Sequence, residues 1–328
     1  MSRSICSKPK WWKRRAPRLA GLLAGLMFSV LASAQPVLTL SVLYAGTAHW
    51  ELDHLQHAGL DSANGYRLEL RPVANLPASR LAVTSGSVQG AVADLLWAQA
   101  RFSAGEPYLY VPFSTQIGDL VVAENSAIRS LADLNGRRLG VAGGPDSKGW
   151  ILLQQVASQR GLDLAASVEL QFGSPPLLSQ ALKRGQVDAI VTYWHFAARL
   201  KGQGGWRSAF RLQDLLAELN LDRNLPVLGY VFPNAWADDH RDLIARFARS
   251  VRQAKQSLAV SPAHWQRLAS LMQEPGSGEL AALREGYLAG RPLPLTERRV
   301  ADLHALLLLT GADSGELMPA DLFFRPAP

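Results

Sequence analysis

From residue 37 onward, apolar and polar positions follow two rhythms, short β-rich runs and longer amphipathic stretches. Their regular alternation predicts an α/β fold with mostly parallel strands. Residues 37–43 predict a first strand, 52–60 a helix, and 66–73 a half-buried strand. Pro77 opens a helix that runs to Ser85 and stops at Gly86, and residues 88–93 give a third strand. Residues 108–124 hold two β-rich runs broken near 114–118. A turn at 133–136 precedes strand 138–142, loop 143–147, helix 148–160, strand 168–172, helix 175–184 and strand 187–192. Residues 226–232 predict the last strand, followed by helices at 238–259, 262–272, 277–288 and 296–309.

Two α/β units followed by a helical tail predict two lobes joined by a two-segment hinge, with the tail returning to the first lobe. The expected boundaries are 35–118 plus 232–328 for lobe 1 and 119–231 for lobe 2, with crossings at 118–122 and 229–232.

The first 34 residues follow neither rhythm. Seven basic residues, Arg3, Lys8, Lys10, Lys13, Arg14, Arg15 and Arg18, precede an apolar run at 19–30, and Ala32-Ser33-Ala34 offers a small-residue cleavage point. This is the pattern of a secretory signal peptide. A dozen apolar residues fall short of the roughly 20 that cross a bilayer core. Without those seven, the 34 Lys and Arg fall to 27, matching 27 Asp and Glu, so the remaining chain is formally neutral. That balance argues against nucleic acid binding, which needs a basic surplus. Cys6, the one cysteine, lies in the same leader, which excludes disulfides, thiolate metal sites and cysteine nucleophiles from the rest, and no cysteine stands at the cleavage point to take a lipid.

Three stretches carry a resemblance. Residues 130–141, SLADLNGRRLGV, give a short helix, a turn and a strand ending at a glycine loop; residues 143–150 follow as that loop and a helix start; residues 180–194, QALKRGQVDAIVTYW, contain an A-L-x-x-G-x-V-D-A unit leading to aromatic residues. Residues 85–94, SGSVQGAVAD, repeat that unit more weakly. In their order these resemble the periplasmic solute-binding proteins of the nitrate, taurine and aliphatic-sulfonate branch, a group that also includes thiamin-pyrimidine-precursor binders. The resemblance implies a two-lobe periplasmic binding protein-like fold, a small oxyanion, amino-sulfonate or pyrimidine held between the lobes, and an inner-membrane ABC permease as partner. The Cys-rich motif of the pyrimidine-precursor binders and synthases is absent, which disfavours those activities.

In an open α/β sheet, ligands collect beyond the carboxyl ends of strands, so residues there are the candidates. His49 and Trp50 follow the first strand and offer a nitrogen and an aromatic wall, although Trp50 could equally pack the core. Asp94 and Trp97 follow the third strand; Asp94 reads first as a helix cap and Trp97 as the cleft ring. Thr115 and Gln116 sit in the break between two β runs. Gly144, Ser147 and Lys148 combine close backbone approach, a hydroxyl and a cation at a helix start, a setting that suits an anion or a plain cap. Ser174 raises the same choice, with the cap reading ahead. Tyr193 and Trp194, with His195 behind them, end the matched unit, and Tyr230 is expected on the second crossing, where its hydroxyl could report closure, or else as a satisfied core tyrosine.

His49, Glu51, Asp53, His54 and His57 place metal-capable groups near one helix, but converging ligands with supporting contacts cannot be read from their spacing. No nucleophile elbow, Walker loop or zinc-peptidase helix occurs. The reading is therefore a secreted, monomeric, cofactor-free, non-enzymatic receptor, with a lyase or dehydratase on the same architecture as the rival, for which Asp94 with His195 or His49 would have to act as an acid-base pair.

Overall fold

The structure is a computed structural model that describes residues 35–325; the expected signal peptide lies outside the described residues. The first half builds β1 Val37–Leu43, α1 Thr47–His57, α2 Leu60–Ala63, β2 Arg67–Val73, α3 Leu76–Thr84, β3 Gly90–Asp94, α4 Leu95–Ser103 and β4 Tyr108–Ser114. The second builds β5 Asp119–Ala123, β6 Arg138–Ala142, α5 Lys148–Gln159, α6 Leu164–Ser167, β7 Glu169–Gly173, α7 Pro175–Lys183, β8 Ala189–Thr192, α8 Trp194–Gln203, β9 Trp206–Arg211 and α9 Asp214–Glu218. The chain then adds β10 Leu228–Pro233, α10 Asn234–Asp239, α11 Arg241–Val260, α12 Pro262–Leu268, α13 Ser277–Ala289 and α14 Glu297–Leu309.

These strands form two five-stranded sheets, ordered β2-β1-β3-β10-β4 and β7-β6-β8-β5-β9. In the first, β1 pairs in parallel with β2 and β3, and β10 runs antiparallel to β3 and β4. In the second, β6 pairs in parallel with β7 and β8, and β5 runs antiparallel to β8 and β9. The odd strand of each sheet is thus the one the chain enters directly after passing between sheets. The mostly parallel α/β expectation holds on this pattern, and helices cover the sheets as parallel strands demand.

Two expectations are corrected. β10 lies inside the first sheet from Leu228 to Pro233, so the second passage runs through residues 212–227 and not 229–232. The first helix begins at Thr47, not 52, which places His49 and Trp50 on it.

A core shared by both sheets runs under α4, α5 and α14, drawing Leu95, Val141, Trp150, Leu153, Leu303 and Leu307 into one cluster. Beyond the first sheet, α11 buries Leu243, Ile244, Phe247, Val251, Ala254 and Leu258 at helical spacing and turns Arg249 and Arg252 outward. Within that half lies a buried ionic group. The Glu51 carboxylate pairs with the Lys255 ammonium and accepts hydrogen bonds from the Tyr287 hydroxyl and, at 2.8 Å, from the Tyr230 hydroxyl. Lys255 also sits 4.7 Å from the ring centre of Phe113.

The C-terminal helices do not stay with the first sheet. α13 lies along α8 of the second, where a Cβ on Gly202 would stand 2.6 Å from the Gly278 carbonyl oxygen, so the two backbones touch. Glu279 accepts from Arg199 and Gln203 on α8. The turn that leads into α13 holds Gln273 and Glu274 in succession at φ of 57° and 48°, a conformation that costs a non-glycine residue roughly 1–2 kcal/mol.

Candidate functional site

The carboxyl ends of β3, β6 and β8 meet where the two halves face each other. From the first half comes the start of α4. Asp94 caps this helix, its Oδ1 accepting from the Trp97 amide at 2.9 Å, and its Oδ2 accepts from Arg80 of α3 at 3.1 Å. The cap expected from sequence is present because an Asp ahead of a helix start can satisfy an orphan amide. The Arg80 guanidinium lies 5.8 Å from the Trp97 ring, which packs at 5.0 Å on Tyr108.

From the second half comes the start of α5. Ser147 occupies the N-cap position, yet its hydroxyl makes no cap bond and is buried without a partner. The Gly143 backbone, at φ 94°, turns so tightly that an added Cβ would lie 3.3 Å from Ser147 Cβ and 3.4 Å from the Tyr193 hydroxyl. Ser147 and Tyr193 therefore flank one loop. Lys148 shares a small cavity with Leu95 and Leu96 of α4, together with Ile117, Leu152, Val227, Leu306 and Thr310. Its volume is about 20 Å³, room for little more than one water. Burial holds the Lys148 ammonium below its usual pKa, while Asp94 opposes that shift and Arg80 adds to it. Burial raises the Tyr193 hydroxyl, with Asp94 and Asp146 acting in the same direction.

Other candidates take structural roles. Thr115 donates its amide to the Gly290 carbonyl, and Gln116 donates its side-chain amide to the Gly286 carbonyl, so the first passage between sheets is pinned to the end of α13. His49 bonds the Tyr44 carbonyl through Nδ1 at 2.9 Å. Trp50 and Trp194 meet edge to face at 6.1 Å, one from each half, inside a cluster with Trp265, Leu283 and Tyr287. They seal the seam between halves and form no open wall. The Trp50 indole nitrogen is buried there without a partner. Tyr230 is corrected outright: it is wholly buried in the middle of β10, its hydroxyl committed to Glu51. Ser174 is exposed at the start of α7 and makes no side-chain cap bond, contrary to the cap reading. Gly144 accepts through its carbonyl from the Ser147 amide.

Two residues outside the sequence candidates belong to the same place. Arg80 was hidden because α3 reads as a plain amphipathic helix. Thr192, 1 % exposed at the end of β8, keeps a hydroxyl without a partner directly before Tyr193. Its position as the last residue of a buried strand was the available signal. A surface groove of about 640 Å³, lined by Asn220, Asp222, Thr296, Arg298 and Arg299 among others, lies apart from all these residues.

The metal-capable string disperses. Glu51 faces Lys255, Asp53 pairs with Arg267, and His54 bonds Ser257 at 2.9 Å. Among the described residues no three His, Cys, Asp or Glu side chains converge on a metal position. Burial, helped by His264, pulls the His54 pKa to about 4, and burial with Arg199 pulls His195 to about 3. Both fall below the ordinary 6.5, so the folded chain binds fewer protons than the unfolded chain in mild acid. The stability these groups contribute is complete above pH 6.5 and is lost as pH falls toward 4 and 3. Melting curves from pH 7.5 to 4 should show this decline, and His54→Asn should make it shallower; an unchanged slope in the variant would assign the decline to other groups.

The sequence profile described as NMT1/THI5 like matches residues 63–264, more than half of the chain. This protein belongs to that family. No curated protein matches it. Among solved structures, it is similar to the periplasmic aliphatic sulphonate binding protein SsuA of Escherichia coli at 18 % identity and a TM-score of 0.68, covering 88 % of this chain and 96 % of that one. The alkanesulfonate-binding protein SsuA of Xanthomonas axonopodis pv. citri, bound to MOPS, aligns at 20 % identity and 0.67 over 90 % of this chain and 100 % of that one. A Candida albicans protein with the generic periplasmic binding protein structural fold aligns at 14 % and 0.57 over 88 % and 92 %. The fold is accordingly the two-lobe periplasmic binding protein fold. Among the described residues no helix is long and apolar enough to cross a membrane.

Proposed function

We propose that this family member is the extracytoplasmic solute-binding component of an ABC importer. It captures a small anion, sulfonate-like or carboxylate-like, between its two halves and delivers it to an inner-membrane permease without chemical change. The halves correspond to the two sheets, with residues 114–119 and 212–227 as the passages on which they close, and the protein works as a soluble periplasmic monomer.

The observation that carries this reading is that helix starts of the two halves meet at strand ends, Lys148 at the start of α5 lining one cavity with Leu95 and Leu96 at the start of α4, directly after Asp94. Two hydroxyls on the second wall, Ser147 and Thr192, are buried without partners. Leaving such groups unpaired costs about 1–3 kcal/mol each, which a ligand's acceptor oxygens would recover. A cation beside them supplies charge, and apolar Leu95, Leu96 and Ile117 exclude water. Titratable groups at the site are poor catalysts as placed: Asp94 is committed to Arg80 and a cap, and His195 is held neutral among the rings of Trp50, Tyr193 and Trp194.

The test is mass spectrometry of solute co-purifying with the protein, followed by melting with anion, neutral and cation panels. The expected ligand is a small anion recovered intact at one equivalent, adding about 2.7 kcal/mol at 100 times its dissociation constant. Turnover of the bound compound, or stabilisation by neutral solutes alone, would reject the proposal.

A further inference from the structure

One helix holds on to both halves. α13, 13 residues and about 20 Å long, lies between α8 of the second half and the buried ionic group of the first. Its start is fastened to α8. The backbones of Gly202 and Gly278 touch, a Cβ on Gly278 standing 2.5 Å from the Gly202 carbonyl oxygen, and Glu279 accepts from Arg199 at 3.0 Å and from Gln203 at 2.7 Å. Further along, Gly286 lies against the Trp194 ring of α8, where an added Cβ would stand 2.8 Å from two ring carbons. The other end is fastened to the first half. The Tyr287 hydroxyl donates to the Glu51 carboxylate on α1. The Gly286 carbonyl accepts from the Gln116 side chain at 2.7 Å, and the Gly290 carbonyl, just past the helix, accepts from the Thr115 amide at 3.0 Å. We infer that α13 is a strap, a third tie between the halves beside the two β passages, which holds them together when no solute is bound. The inference rests on the reading of two halves that close on a solute, and adds to it the contact that opening must break.

The physical reason is that a helix is stiff over this length, so when the halves part it follows one of them and separates from the other. Residues 269–276 before it and 290–296 after it form no helix or strand, which lets α13 go with either half. If it follows the second half, the Glu51 carboxylate loses the Tyr287 hydroxyl while the rest of its surroundings stay buried. If it follows the first, the Glu279 pair is broken and the glycine face of α8 and Trp194 are uncovered. Either loss is unfavourable, since one strips a charged group of a donor and the other returns apolar surface to water.

Cys6 is the one cysteine of the sequence and lies in the leader, so the mature chain takes two engineered cysteines without background. Ala45, just past β1, and Leu177, in the first turn of α7, are exposed at strand ends of the two halves. Spin labels at Ala45→Cys and Leu177→Cys read the gap by pulsed electron spin resonance. Without solute, the labelled chain should give one short distance. Tyr287→Phe frees the end of the strap and Glu279→Ala frees its start. Each should add a longer distance and raise the ratio of open to closed molecules about tenfold, the effect of losing a hydrogen bond to a charged group. Melting curves report the fold of each variant, and two variants at opposite ends guard against one that does not fold. Asp188→Asn is the control, because Asp188 bonds Arg138 within the second half alone: it should lower the melting temperature and leave the distance unchanged. A distance unchanged in both folded strap variants overturns the strap, as does a solute-free chain that is already mostly open. Opening in Asp188→Asn as well would trace the motion to general loss of stability and overturn it too. The receptor reading survives each of these results, since it stands or falls on the solute recovered with the protein.

Discussion

Lys255→Met is expected to lower the stability of the fold by about 3–5 kcal/mol, because it leaves the Glu51 carboxylate charged and buried. Glu51 is fully buried, and its remaining partners are the hydroxyls of Tyr230 and Tyr287. Two hydroxyl donors do not replace a cation in a medium of low polarity. The Lys255 ammonium also lies over the rings of Phe113 and Tyr287, cation–π contacts that vanish with the charge, while Met fills much of the same space, so the loss reports charge more than volume. The double change Glu51→Leu with Lys255→Met should recover most of the loss, since an apolar pair can fill the same space without desolvated ions. Urea unfolding of the three variants reads the result. A double variant as unstable as the single one would mean that the network's worth lies in its hydrogen bonds.

Gly118→Ala should be nearly as costly, about 3 kcal/mol, for a reason of backbone geometry. Gly118 sits at φ 142° where the chain first leaves the first sheet, and a Cβ there would lie 2.1 Å from the Thr192 carbonyl oxygen. Neither atom can yield: Thr192 is held in β8 beside Asp119, and the Gly118 carbonyl accepts from the Leu212 amide at 2.8 Å. Both passages between sheets therefore run through one close contact. The same substitution should weaken solute binding, because moving Thr192 also moves Tyr193. Hydrogen exchange concentrated at residues 114–119 and 189–195 would support this account. Exchange raised evenly over the chain would instead indicate general loosening.

Most strands along the chain, β9 excepted, and the run of C-terminal helices were legible because buried parallel strands leave dense apolar runs between Gly and Pro punctuation. What escaped was polar residues stabilised by distant partners. The first helix starts five residues before its apolar rhythm because its opening turn carries His49 and Glu51, whose partners lie in the Tyr44 carbonyl and in Lys255 of α11. Tyr230 was a candidate because its strand reads as the second crossing; its acceptor is 179 positions away. α8 was obscured by its aromatic start, as Trp194 and His195 read as rings that end the matched unit and not as a helix start. Asp94 was recognised as a cap from its neighbours alone, whereas its link to Arg80 needed α3 and the start of α4 in place together.

The backbone contact between α13 and α8 also dictates an order of events during synthesis. The ribosome completes the second sheet and α8 long before Gly278 and Glu279 exist to cover the small-residue face at Gly202. Trp194 and that face wait, uncovered, until nearly the whole chain has been made. A nascent protein in this condition invites chaperones, and a fragment ending after the second sheet would carry the same bare surface into solution as a site for aggregation.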